Sequence, residues 1–305
     1  MKKKLISDFL LFLRNSPTPF HVAQNLRFML ESAGYNELFE KDEWSLKKNG
    51  KYFVIRGDSS LVAFELNRAV SDNAGFLAVG AHTDSPCLKL KPNSTKERFG
   101  YLQLNIEVYG GVLLNPWFDR DLSIAGKVVY KIKSGQIKNM LIDFKKPLAV
   151  LSSLAIHLDR EANKKRSIDK QKMLSPILAL KSEGRDFQDL LISEIKKKEK
   201  MKTGLSLLTT DLFMYDTQAP AVAGMNEDFV SSARLDNLVS CYYACRALID
   251  SKSSHNKLLI CNDHEEVGSQ SYIGAKGNFL KDVLGRVCRT PEQYSRVIAS
   301  SLLVS

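Results

Sequence analysis

Two short, unbroken apolar runs constrain this chain more than any other feature. Residues 76–81 read Phe-Leu-Ala-Val-Gly-Ala and residues 258–261 read Leu-Leu-Ile-Cys. A run that is apolar at every position has no face to offer to water. It therefore belongs to a strand covered on both sides, as in a sheet sandwiched between helices. Each run stops at polar residues: His82-Thr83-Asp84 after the first, Asn262-Asp263-His264-Glu265-Glu266 after the second. Open α/β sheets place their ligand-binding residues at such strand ends.

Around these runs the chain divides into three blocks. Residues 1–90 begin with helical periodicity, in which Leu5, Phe9 and Leu13 share a face, and continue into strand-like stretches at 52–55 and 61–64. Residues 91–225 are β-rich. Alternation at 102–109 is interrupted by Gly110-Gly111, and strands are expected at 124–132, 140–144 and 147–151 before a charged helix at 187–202. Residues 226–305 return to α/β style, with a helix marked by Leu238, Cys241, Tyr242, Cys245, Leu248 and Ile249 and another expected over 275–287. The simplest account is an α/β domain formed by 1–90 and 226–305 and interrupted by a β-rich insertion.

Three clusters carry chemistry. His82 sits at a strand end, and a ligating histidine usually has its second nitrogen held by a carboxylate. Asp84, two residues on and on the same side of extended chain, is placed either to provide that hold or to support the site nearby. Glu265 and Glu266 are adjacent carboxylates at a second strand end, where crowding in low dielectric disfavours two charges unless a cation is present. One can then ligate a metal while its neighbour handles a proton. Asp236 stands at the entry to the helix, where capping is the ordinary role of such a residue. Alternatively, its two oxygens could bridge a pair of ions. Taken singly, a surface histidine and a solvated Glu-Glu pair are ordinary features; it is the ordered set that points to a metal site.

Composition removes several function classes. The net charge of +10 comes partly from lysine-rich segments at 163–172 and 195–202, but acidic residues are mixed in and no aromatic residues interleave to stack bases. A solvated basic surface is expected, and no nucleic-acid partner. No apolar run approaches the ~18 residues of a membrane span, so no membrane partner is expected. In the first 13 residues Ser7 and Asp8 break the apolar stretch that a secretory signal needs. Five cysteines, odd in number and without a C-x-x-C pair, suit a reducing, cytoplasmic compartment.

The segments Ser16-Pro17-Thr18-Pro19-Phe20-His21, Gly80-Ala81-His82-Thr83-Asp84-Ser85-Pro86, Trp117-Phe118-Asp119-Arg120-Asp121-Leu122, Tyr215-Asp216-Thr217-Gln218, Ala233-Arg234-Leu235-Asp236-Asn237-Leu238 and His264-Glu265-Glu266-Val267-Gly268-Ser269 resemble, in order, the signatures of the aspartyl aminopeptidase family. The resemblance implies a zinc-peptidase-like mixed sheet flanked by helices, split by a β-rich assembly domain. It implies two divalent metal ions, zinc, with His82 a ligand of one, Glu266 a ligand of the other and Asp236 bridging both. It makes Glu265 the general base, Asp84 the supporting carboxylate, and His157 a residue reaching a neighbouring subunit's active site. Peptide substrates with acidic N-terminal residues and a dimer-based homo-oligomer, up to a dodecamer, are implied by the same likeness. Family members also carry an Asp and a His ligand in segments beyond the one resembling 300–305. The resemblance thus leaves each ion one protein ligand short, a C-terminal portion missing and the sheet edge unpaired. Two other readings stay open: a metal-free scaffold homologue, and a deacylase of the same fold.

Overall fold

A computed structural model describes residues 2–69, 74–181, 186–200 and 204–305. Met1, and Met201 and Lys202 at the end of the second lysine-rich segment, lie outside the described residues. In chain order the elements are α1 (Lys2–Asn15), α2 (Pro19–Ser32), β1 (Asn36–Glu37), β2 (Lys51–Arg56), β3 (Ser60–Glu65), β4 (Phe76–His82), β5 (Cys87–Arg98), β6 (Tyr101–Tyr109), β7 (Leu122–Ile132), β8 (Ile137–Asp143), β9 (Ile177–Leu180), α3 (Phe187–Glu199), β10 (Leu205–Asp216), β11 (Ala221–Ala223), β12 (Phe229–Ser231), α4 (Leu235–Asp250), β13 (Asn256–Asn262), α5 (Phe279–Val287), α6 (Pro291–Ala299) and β14 (Leu302–Val304). They fall into two compact units, 1–85 with 220–305, and 86–219.

The first unit is a mixed sheet in the order β1-β2-β3-β13-β4-β14. The alternation hidden inside its apolar strands is resolved by two helical layers. Phe53, Leu61, Ala63, Leu259 and Cys261 face one core with Phe9, Leu13, Leu26 and Leu30 of α1 and α2 and Leu238, Cys241 and Cys245 of α4. Tyr52, Val54, Val62, Phe64, Leu258 and Ile260 face the other, against Phe279, Val283 and Val287 of α5 and Val297 of α6. With both faces covered, every position of β13 is buried, as its unbroken apolar run requires. β14 pairs with β4 and is the outermost strand on that side among the described residues, with Leu302, Leu303 and Val304 exposed. Among the described residues no helix is long and apolar enough to cross a membrane.

The second unit is a sheet in the order β8-β7-β10-β5-β6-β9. One core joins Leu88, Leu104, Leu122, Val128, Tyr130 and Leu212 to Phe187, Leu191 and Ile195 of α3. The strand expected over 147–151 is not one. Pro147 has no N–H to give, and consecutive residues change partner, Ala149 pairing with Leu122 and Val150 with Ile177, so no ladder develops. Conversely β10, twelve residues long, escaped the sequence reading. A register shift between Leu207 and Thr209 breaks its alternation just where a period of two would be sought. The helix expected over 275–287 begins only at Phe279. The residues before it form tight turns around Gly274 and Gly277, where an added Cβ would lie 2.3 Å from Ser269 O and 2.7 Å from Ser271 O respectively.

Candidate active site

The parallel pairing of β4 with β13 puts His82 directly opposite Asn262, so both strands end at the same level. Thr83 N–H bonds Asn262 O at 2.7 Å and locks the two ends together. The residues just beyond the two strands are therefore delivered to one edge of the sheet. On that edge His82, Asp236 and Glu266 each present a ligand atom, and these atoms lie within 4.8 Å of one another.

His82 Nδ1 lies 3.3 Å from Asp84 Oδ1, and Nε2 lies 3.3 Å from Asp236 Oδ1. Nδ1 also lies 3.1 Å from the Asp84 backbone O. A proton on Nδ1 would be held by Asp84, fully buried, and would leave the Nε2 lone pair for the open side. Burial alone would lower the pKa of His82, but bonding to Asp84 and the charges of Asp84 and Glu265 outweigh it and hold the value above the ordinary one. Beneath the ligand, Cys241 Sγ of α4 donates to His82 O at 3.1 Å, which fastens the helix under the strand end.

Asp236 does not cap its helix. Arg234, in the left-handed region at φ 62°, occupies the N-cap position, and Asp236 keeps non-helical angles of φ −81° and ψ 112°. Arg234 Nη2 donates to Leu13 O at 3.2 Å and Ser85 Oγ to Asp236 O at 2.8 Å. These contacts hold the backbone while the Asp236 side chain, 79% exposed, points at His82. Capping would have turned the carboxylate inward to the helix amides; the left-handed residue before it aims it outward instead.

Glu265 and Glu266 ride on a single 3₁₀ turn, residues 265–267, immediately beyond β13. Asp84 accepts the N–H of both, Oδ1 from Glu265 at 3.2 Å and Oδ2 from Glu266 at 3.1 Å. Glu265 Oε2 stands 3.9 Å from His82 Nε2. Burial, and then the charges of Asp84, Glu265 and Asp236, push the Glu266 carboxyl above its ordinary pKa, against the opposing pull of His82. Four carboxylates crowded around one imidazole suit a divalent cation, and a His-plus-carboxylate donor set is one that zinc takes. His157 belongs to the second unit, on an exposed turn flanked by exposed Leu154, Ile156 and Leu158.

Sequence reasoning missed Asp263. It is buried at the end of β13, and burial raises its carboxyl pKa, with the nearby Asp84 charge adding to the rise and His264 opposing it. The signal was available: an acidic residue continuing a strand buried at every position.

A strand-end histidine and carboxylates converge on the edge of a helix-covered mixed sheet, a donor set that could hold a metal ion. The chain belongs to the M18 family, the aminopeptidase I zinc metalloproteases, whose family model matches residues 12–305. It is 49% identical to a "Probable M18 family aminopeptidase 2" of Ectopseudomonas mendocina, over 100% of this chain and 71% of that protein. The fold is shared with Ape4, solved in complex with Nbr1, at TM-score 0.92 and 36% identity, over 99% of this chain but only 63% of that one. It is shared also with mApe1 of Chaetomium thermophilum, at TM-score 0.86 and 29% identity, over 98% of this chain and 73% of that one.

Proposed function

We propose that the chain forms part of an aminopeptidase that removes acidic N-terminal residues from peptides, with His82 and Glu266 each holding one zinc ion and Asp236 bridging them. The observation carrying this reading is the convergence of those three ligand atoms within 4.8 Å, with Glu265 beside them and outside the ligand group. When bound, the zinc ions supply positive charge that acidifies a water and polarises the scissile carbonyl.

The chain's own residues do the rest. Asp84 holds the Nδ1 proton of His82 and fixes the turn that carries both glutamates. Glu265 takes a proton from the attacking water as its oxygen adds to the carbonyl carbon. As the C–N bond breaks, the same carboxyl returns the proton to the leaving nitrogen. The second unit serves assembly, and His157 reaches the active site of a neighbouring subunit to help hold the carbonyl oxygen. A solved relative, mApe1 of S. cerevisiae, is a dodecamer (26% identity, TM-score 0.78), and a dimer-based dodecamer is the assembly we assign. Among the described residues no disulfide joins the five cysteines, and a reducing cytoplasm is the compartment we assign.

The test is a substrate panel run with and without added zinc: peptides beginning with Asp, Glu, Ala or Leu, and N-acyl amino acids. Zinc-dependent release of Asp and Glu is expected. Cleavage of the N-acyl compounds alone would make the chain a deacylase, and zinc bound without any turnover would make it a scaffold subunit.

A further inference from the structure

His264 lies beside both glutamates, yet its imidazole is neither in the converging ligand group nor used by the mechanism. Its surroundings are nevertheless elaborate. Three residues of one short loop adopt left-handed backbone: His264 at φ 65°, Gly268 at φ 95° and Ser269 at φ 63°. Such angles are uncommon for residues other than glycine and persist where surrounding contacts fix them. Here Ser269 N–H closes on His264 O at 2.8 Å, Gly268 N–H on Glu265 O at 2.9 Å, and Asp263 Oδ1 accepts His264 N–H at 2.7 Å.

Two side-chain ties clamp this loop. On the buried side, Ser60 Oγ of β3 accepts Asp263 N–H at 2.8 Å and donates to Ile273 O at 2.9 Å, joining the loop's start to its end. On the outer side, His264 Nδ1 and Ser271 Oγ are 2.7 Å apart. Ser271 Oγ also accepts Gly274 N–H at 3.1 Å. His264 Nε2 lies 3.8 Å from Asp263 Oδ2. Along the chain both ties enclose Glu265 and Glu266.

We infer that His264 and Ser271 are positioning residues, whose contact sets the place of the turn bearing Glu265 and Glu266 and so governs metal affinity and turnover. This rests on the proposed roles of Glu265 as base and Glu266 as ligand. The role is one of hydrogen bonding and backbone shape. Asparagine is the conservative replacement, because it tolerates left-handed backbone and carries an amide that can bond Ser271 Oγ.

The experiment compares H264N, H264L, S271A and the double variant H264L/S271A in the full chain. Zinc affinity is read by chelator competition, the visible absorption band of the cobalt-loaded protein reports metal geometry, and kcat and KM are measured with an aminoacyl peptide. H264L and S271A should each weaken zinc binding about 10- to 100-fold, shift the cobalt band and lower kcat with KM unchanged. The double variant should be no worse than the worse single one, as expected of residues sharing one contact. H264N should stay close to the parent in all readouts. Should H264L lose its folded far-UV signal, S271A, which removes a single oxygen, carries the comparison. Parent-like zinc affinity, cobalt band and kcat in S271A would overturn the inference, as would an H264N variant as impaired as H264L. If S271A weakens zinc binding while the parent cleaves no peptide, the positioning role stands and the aminopeptidase reading fails.

Discussion

Asp84 carries Glu266 by its backbone: one carboxylate oxygen accepts the Glu266 N–H at 3.1 Å, while the other accepts Glu265 N–H at 3.2 Å and faces His82 Nδ1 at 3.3 Å. One buried carboxylate thus couples a ligand on β4 to the turn after β13. Asp84→Ala leaves two amides without acceptors, at about 1–3 kcal/mol each. It should also lower zinc affinity about 10- to 100-fold. Asp84→Asn should be nearly as harmful, because its amide would set an N–H against one of those N–H groups. Urea unfolding together with a zinc titration checks this, and parent-like values in Asp84→Ala would refute the coupling.

Glu265→Gln tests the division of labour between the glutamates. Gln keeps the shape and removes the proton acceptor, so kcat should fall by roughly 10²–10⁴. Zinc content measured by atomic emission should hold at the parent's level. Loss of zinc with the fold intact would exchange the roles of Glu265 and Glu266.

Away from the site, Glu65 and Lys257 form a buried ion pair at 2.7 Å, both side chains almost fully enclosed. Tyr35 Oη donates to Glu65 Oε1 at 2.5 Å, Lys51 Nζ lies 3.7 Å away, and Lys257 Nζ also donates to Leu248 O and Ser251 O. Burial pushes the Glu65 carboxyl up, but its bonds to Lys257 and Tyr35 and the charges of Lys257 and Lys51 prevail and hold it below 4.5. Because the folded-state value is depressed, the stabilisation is present above 4.5 and is lost as pH falls through the folded value. Lys257→Met leaves a buried charge unpaired and should cost about 3–5 kcal/mol at neutral pH. The difference from the parent should shrink in acid, where Glu65 is neutral in both. Denaturant unfolding at the two pH values decides it; an equal difference at both would show that the charge is not the cause.

The apolar residues around His157 supply the test of assembly. Leu154 is 62% and Leu158 74% exposed, although burying either in an interface would yield about 1.5–3 kcal/mol. Leu158→Glu should reduce the mass seen by light scattering and lower activity with it. An unchanged mass, or a monomeric parent with full activity, would remove both the interface and the proposed role of His157.

By itself the sequence determined the kinds of element and the ends of the critical strands. The apolar run of β13 is buried throughout, as an unbroken run leads one to expect, whereas β4 buries Phe76 and leaves Leu77 exposed beside the short outer strand β14. Both runs nevertheless end where the sequence breaks into polar residues, at His82 and just before Glu265, and the spacing from Leu238 to Leu248 forms a helix. These are local periodicities, written in neighbouring residues. Tertiary structure alone decided that Asn262 lies opposite His82, since that register joins residues 180 positions apart in the chain. It also decided the aim of Asp236, which local rules assign to a helix cap and which the left-handed Arg234 and the hold of Ser85 turn toward His82. The double duty of Asp84 was beyond any local pattern, for the amides it accepts become its neighbours only when the two parallel strands end at one level.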